Sequence, residues 1–257
     1  MRKLLLCMSI FLGSFSAFSQ TVYNEKFTSV YIQPSRSFVT ITNKNADKNT
    51  FDSLSKNLSG TINLSLGGVT RKQLNRNWFL NAGIDIQMAS FLRVYEGVRF
   101  DVSLHPDVPK NDQDIITYPG PDAEYRFRFL YANLPFLFER RIFKYVKTEE
   151  PWLYYIQFGV TPQYMFSNSL NLKLKGFTIE EKSEYKDLNP YLNVNKFNVL
   201  FNVGVSFYYK YSPKFGYFIQ PNFGIQMLPM NNNSANYRQT FLGIKFGFTF
   251  LNDDDNN

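Results

Sequence analysis

The amino-acid sequence predicts an all-β protein, a transmembrane antiparallel up-and-down β-barrel of about eight strands. Three observations lead there. Apolar residues recur at every second position over stretches as long as the roughly 9 to 11 residues a tilted strand needs to cross a bilayer. Of 257 residues, 27 are Phe, 17 Tyr and 2 Trp, while only 19% are charged, against roughly 25% in soluble domains. Mean hydropathy is nevertheless below zero. Fine alternation explains that, because each strand keeps one apolar face within a polar average. With 44% hydrophobic residues the chain is not disordered.

The N-terminus sets the compartment. Arg2 and Lys3 precede the apolar run Leu4 to Leu12, and Ala17-Phe18-Ser19 places small residues where a signal peptidase reads them, ahead of Gln20. Residues 1–19 thus read as a secretory signal peptide. A membrane anchor needs about 17 to 25 apolar residues, and Gly13, Ser14 and Ser16 interrupt this stretch. Cys7, the only cysteine, follows Lys3 too closely for a lipoprotein cleavage. Without 1–19 the chain is cysteine-free and carries 26 Lys+Arg against 21 Asp+Glu, a net of +5. An exported chain without disulfides is held by a large core or a closed sheet. The basic excess is modest and dispersed, so it fits acidic lipid headgroups and gives nucleic-acid binding no support.

Taken in order, residues 20–27 read as a periplasmic segment, and a first strand is expected over about 28–42 (Val30, Ile32, Phe38, Thr40), although Pro34 lacks a ladder donor. Ile62, Leu64 and Leu66 over Thr61, Asn63 and Ser65 give a weak second strand. From Trp78 to Val94, Leu80, Ala82, Ile84, Ile86, Met88 and Leu92 face out, and Asn81, Gly83, Asp85, Gln87 and Arg93 face in. In 124–142, Leu130, Ala132, Leu134, Phe136 and Phe138 share one face. Tyr125, Phe127 and Phe129 lie on the other, so the first part is expected to project beyond the bilayer or to bulge.

The four remaining strands alternate cleanly. Residues 152–166 set Trp152, Tyr154, Ile156, Phe158, Val160, Tyr164 and Phe166 against Gln157, Gly159, Thr161 and Gln163. Phe197 to Tyr209 is apolar at every odd position, over Asn198, Leu200, Asn202, Gly204 and Ser206. Phe215 to Met227 repeats the pattern over Gln220, Asn222, Gly224 and Gln226 after a hairpin turn at Tyr211 to Lys214. Residues 238–250 close the series, with Lys245 inward. The barrel is read as 28–251, followed by an acidic tail, 252–257.

An even strand number puts both chain ends on one side, as in single-chain bacterial barrels. Connections near 43–57, 96–123, 171–195 and 229–236 then fall outside the cell, and 72–77, 142–151 and 211–214 fall inside. The first group is the longer, as expected of surface loops. A soluble sandwich or lipocalin-like barrel also alternates, but it leaves charges on its outer face. Here the faces opposite the apolar ones are rich in Gly, Asn, Gln, Ser and Thr, the composition of a polar lumen. Asp85, Arg93, Asn133, Glu139, Gln157, Asn198, Asn202, Gln220, Asn222 and Lys245 are expected to line it. They form either a solute path or a hydrogen-bonded plug, and an eight-stranded bore just wide enough for side chains favours the plug. Asp85 or Glu139 is expected to pair with Lys245 or Arg93. Trp78, Trp152, Tyr154, Tyr164, Tyr209 and Tyr217 are expected at the membrane interfaces.

The stretch Leu130-Tyr131-Ala132-Asn133-Leu134-Pro135-Phe136-Leu137-Phe138-Glu139 resembles a strand of the PorT-like family of small outer-membrane β-barrel proteins. Phe158-Gly159-Val160, Asn202-Val203-Gly204-Val205 and Leu242 to Phe250 support the resemblance, which covers roughly 59–250. Residues 21–58 and the tail beyond Phe250 depart from it. The resemblance implies an outer-membrane antiparallel barrel and no particular activity.

Catalysis has little footing. His105, the sole histidine, lies beside Pro106 and Asp107 and near Ser103 in the 96–123 loop, where a solvated loop residue is the simpler reading. Asp112, Asp114 and Asp122 would hold calcium only loosely. No cofactor, metal or small-molecule substrate is expected. The sequence points to a non-catalytic barrel of the Gram-negative envelope with a structural or binding role through its surface loops, surrounded by outer-membrane lipid. Two competitors are an accessory subunit docking onto a secretion or assembly machine, and a lipid-modifying enzyme using His105. A His105→Ala variant is expected to leave envelope lipid composition unchanged by mass spectrometry; altered acylation would restore the enzyme reading.

Overall fold

In the computed structural model of the chain the described residues are 26–43, 58–75, 77–95, 122–142, 152–175, 182–186, 193–212, 214–231 and 235–252. The signal segment 1–19, the loop residues Ser103, His105, Asp107, Asp112 and Asp114, and the tail residues 253–257 lie outside them.

Alternation produces strands throughout: β1 (Lys26–Asn43), β2 (Leu58–Gly60), β3 (Ile62–Gln73), β4 (Trp78–Tyr95), β5 (Asp122–Asn133), β6 (Phe136–Arg141), β7 (Trp152–Lys175), β8 (Lys182–Lys186), β9 (Phe197–Lys210), β10 (Phe215–Gln226) and β11 (Ala235–Asn252). All pairings between them are antiparallel. The ladder runs β1–β3–β4–β5–β7–β9–β10–β11 and returns to β1, so the sheet is closed. β2 extends the β3 stave, β6 continues β5, and β8 pairs with the far end of β7, leaving eight staves.

Partners followed once round the wall lead from Thr28 through Thr70, Ala82, Phe136, Val160, Phe201, Ile225 and Thr240 back to β1 at Phe38, ten residues along. At ~3.3 Å per residue and ~4.8 Å between strands, that stagger tilts the staves by roughly 40°. Lys26 pairs with Asn252, so both ends of the barrel chain meet at one rim. The β3–β4, β6–β7 and β9–β10 connections share this short-turn end. The longer β1–β2, β4–β5 and β7–β9 connections lie at the other, as does the shorter one between β10 and β11.

Several boundaries differ from the sequence expectation. β1 begins at Lys26, so Lys26 and Phe27 belong to the wall rather than to an N-terminal segment, and β11 reaches Asn252. β3 continues past Leu66 to Gln73, because Gly67 and Gly68 interrupt the apolar alternation without breaking the ladder. Pro34 is accommodated where the β1–β11 register skips from Ile32 to Ser35. The first part of β5 projects, with Arg126 and Arg128 exposed outside and Tyr125, Phe127 and Phe129 buried inside. The irregularity lies on its partner. The β5–β7 register shifts at Leu130/Tyr131, leaving Phe166 of β7 without a counterpart. Between β5 and β6 the wall stays sealed, since Leu134 N donates to the Pro162 carbonyl (2.9 Å) and Gly83 N to the Pro135 carbonyl (3.3 Å).

At the closing seam the Ser29 and Thr249 hydroxyls meet at 2.9 Å across paired residues. A Ser29→Cys/Thr249→Cys variant, made with Cys7→Ser, is expected to form the disulfide on mild oxidation and to resist heat unfolding on gels until reduced. Free thiols in a folded barrel would contradict the closure.

Candidate functional site

The exterior and the lumen have opposite chemistry. Between the short-turn rim and the level of Arg36 the outward positions carry no charge among the described residues, and exposed apolar side chains such as Leu66 (65%), Ile84 (60%) and Leu242 (57%) cover them. Charge returns at both ends: Lys26, Lys72, Arg140 and Lys210 at the short-turn rim, and Arg36, Arg126, Arg128 and Arg238 toward the loop rim. Arg36 is set deepest, its guanidinium 5.6 Å from the Phe38 ring centre.

The expected interfacial aromatics divide unevenly. Trp152 and Tyr209 (4.9 Å), Tyr209 and Tyr217 (4.9 Å), and Tyr154 and Phe207 (5.8 Å) form one girdle at the short-turn end. Trp78 extends it, under the Arg140 guanidinium at 5.5 Å. Tyr164 stands alone among the six toward the loop end. It lies twelve residues above Trp152 on β7, a height of roughly 30 Å at ~3.3 Å per residue and ~40° tilt, close to a hydrocarbon thickness.

Inside, the lumen is filled in three layers, a polar one between two apolar ones. Phe79, Leu153, Tyr155, Tyr208 and Phe218 pack the short-turn end, and Phe91, Tyr125, Phe127, Phe129, Leu170 and Phe241 pack the loop end. Aromatic side chains serve either face of such a wall, so residue type alone does not separate inward rings from outward ones. Between these plugs lies a polar layer with a void of about 20 Å³, room for about one water molecule. Small residues make the layer possible: a Cβ on Gly83 would strike the Gly68 carbonyl and Val69 across the ladder.

All ten expected lumen residues point inward, Asn222 half-buried and the others buried. Two amide relays order half of them, each ending on a carboxylate. Gln226 Nε2 donates to Gln163 (3.2 Å), and Gln163 Nε2 donates to Gln87 (2.9 Å) and Asn133 (3.1 Å). Asn133 Nδ2 then donates to Asp85 Oδ1 (2.6 Å), whose Oδ2 accepts the Tyr31 hydroxyl (2.8 Å). In the second relay Gln220 donates to Gln157, which donates to Glu139 Oε1 (3.0 Å). Ser206 (3.2 Å) and Tyr208 (3.3 Å) donate to the same oxygen. Asn202 turns instead to Thr161 (2.9 Å), and Asn198 to the Leu228 carbonyl (2.9 Å).

The expected ion pairing is corrected. Glu139 pairs with Arg71, Nε to Oε2 3.2 Å, rather than with Lys245 or Arg93. The contact is an ion pair by distance without hydrogen-bond angles, since neither atom has a hydrogen-bond partner. The guanidinium is also held 3.9 Å from the Phe79 ring centre, 4.0 Å from Tyr155, 4.9 Å from Tyr208 and 5.3 Å from Phe27. Buried ring faces stabilise a desolvated cation that one carboxylate only partly compensates. Lys245 puts its ammonium 4.3 Å from the Tyr31 ring centre, within electrostatic reach of Asp85 and Glu139. Arg93 lies at the loop end, across the ladder from Leu58 and Tyr125. Arg71 and Tyr31 are the residues that sequence reasoning missed; extending the alternation of Ser65, Gly67 and Val69 by one more step would have placed Arg71 inside.

No family model matches the chain, and no curated protein matches it. Solved structures with similarity include the outer membrane protein OprG from Pseudomonas aeruginosa (9% identity, 89% of this chain and 96% of that chain, TM-score 0.41). Ail, the attachment invasion locus protein of Yersinia pestis, gives 15% identity over 89% and 100% of the two chains with a TM-score of 0.29. The outer membrane protease OmpT from Escherichia coli gives 11% identity over 91% and 100%, with a TM-score of 0.34. These likenesses assign the chain no activity.

Replacing Glu139 by Gln removes the only charge paired to Arg71 among the described residues. The loss is expected to be about 3 kcal/mol, from an uncompensated buried cation, measured as the shift in urea unfolding of the barrel in lipid vesicles. Unchanged stability would show that the aromatic rings alone hold Arg71.

Proposed function

We propose that the chain is a small bacterial outer-membrane β-barrel protein, exported by a cleaved N-terminal signal, that is not an enzyme and acts through structure or binding at its loop end. The observation that carries this reading is a lumen packed shut inside an apolar belt that Arg36 alone interrupts among the described residues. A soluble barrel would place its charges on that outer face and its apolar residues within. A pore would leave an aqueous path, whereas here aromatic plugs close both ends of a polar layer that has room for about one water molecule. What remains for interaction is the loop end, in the usual orientation with long loops to the exterior. The Leu130–Glu139 strand supports kinship with the PorT-like barrels. A stoichiometric companion that stays bound without the surface loop would make the protein an accessory subunit of a secretion or assembly machine.

The test is gentle detergent extraction of a tagged form, an unboiled gel lane, mass spectrometry of whatever stays bound, and conductance in planar bilayers. The expected results are a heat-modifiable barrel without steady pore conductance, and a bound companion lost when residues 98–120 are deleted while heat-modifiability persists. A stable aqueous conductance would overturn the sealed-lumen reading, and a companion retained by the deletion would overturn the role given to that loop. Ile86→Arg, in the middle of the belt, is expected to cost about 2–4 kcal/mol of stability in vesicles; no loss would place Ile86 away from lipid.

A further inference from the structure

Some cations on the outer wall are engaged, and others, Arg126 and Arg128 among them, are not. Arg36 lies over Phe38, and Arg140 over Trp78. Glu124 faces Lys173 across the β5–β7 ladder, Asp122 faces Lys175, and Glu184 lies across from Asn171 on β8. Arg126 and Arg128, both exposed, have no ion pair or ring contact among the described residues. Their cross-strand neighbours are Leu92 and Asn171 for Arg126, and Ser90 and Ser169 for Arg128. None of these is acidic.

The position of the pair is as informative as its charge. The two side chains leave the same face of β5 about 6.6 Å apart, close enough for both guanidinium forks to reach one phosphate or two adjacent ones. The next outward residues down the same stave are Leu130, Ala132, Leu134 and Phe136, so the apolar belt starts directly beneath. Resting on the membrane reading above, this is headgroup height in the outer leaflet. We propose that Arg126 and Arg128 bind the phosphate of an outer-leaflet phosphorylated glycolipid, whose acyl chains lie against Leu130, Leu134 and Phe136.

The full-length mature protein in phosphatidylcholine nanodiscs is offered bis-phosphorylated lipid A or the same lipid dephosphorylated, and the lipid retained after affinity capture is weighed by mass spectrometry. The wild type is expected to favour the phosphorylated form by on the order of thirtyfold, what two arginines at a headgroup contribute. Arg126→Gln/Arg128→Gln should abolish the preference, and Arg140→Gln should leave it intact. Equal retention of both lipids by the wild type, or an undiminished preference in the double variant, overturns the proposal. Displacement by excess inorganic phosphate also overturns it, since the site would then take small anions. Arg126→Lys/Arg128→Lys keeps the charge but loses the forks, and should weaken the preference even if the glutamine variant does not fold. Failure of the wild type to enter nanodiscs as a heat-modifiable barrel strikes the membrane reading itself, whereas an inserted barrel without preference strikes only this site.

Discussion

The structure depends on one requirement of the backbone: every N–H and C=O in the wall needs a partner, and an apolar surround offers none. Closing β1 onto β11 meets it, because the seam removes the two edges an open sheet would expose. Closure with eight staves and a ten-residue stagger fixes the tilt and a bore about as wide as its own side chains. The prolines show how tightly the wall is held. Pro34 and Pro221 sit where one flanking ladder skips a step, and the other ladder continues past them.

A bore that narrow has to be filled, and its filling carries two buried carboxylates and three buried cations. Desolvating them is costly unless hydrogen bonds and counter-charges take the place of water. Asp85 is met by a phenol and an amide, and Glu139 by an amide, two hydroxyls and a guanidinium. The glutamines matter here because one amide both donates and accepts, so Gln163 and Gln157 each pass the chain of bonds across the lumen. The aromatic plugs above and below keep this layer apart from both ends. A sealed polar layer stabilises a unique packing and gives solutes no path.

Much of the wall was legible because its period is two. Phe197 to Tyr209 alternates without interruption, and the structure places its odd residues outward and Asn198, Asn202 and Ser206 inward. Tyr125, Phe127 and Phe129 follow the same rule: alternation sets them opposite Leu130 and Phe136, and they pack the lumen above the belt. Legibility failed where alternation lapses. Arg71 lay hidden behind Gly67 and Gly68. The partner of Glu139 was unreadable for a different reason: the stagger decides which inward residues share a level, and that follows from closure rather than from any one strand.

Odd residues of β9 face lipid while even ones are shut inside. Site-directed spin labels placed singly from Phe197 to Tyr209, in the barrel folded into vesicles, test it through collision with oxygen and with a polar nickel complex. Labels at odd positions are expected to collide readily with oxygen, most of all near Val203, and rarely with nickel, while even positions are shielded from both. Nickel access at the odd positions, or no period of two, would contradict it.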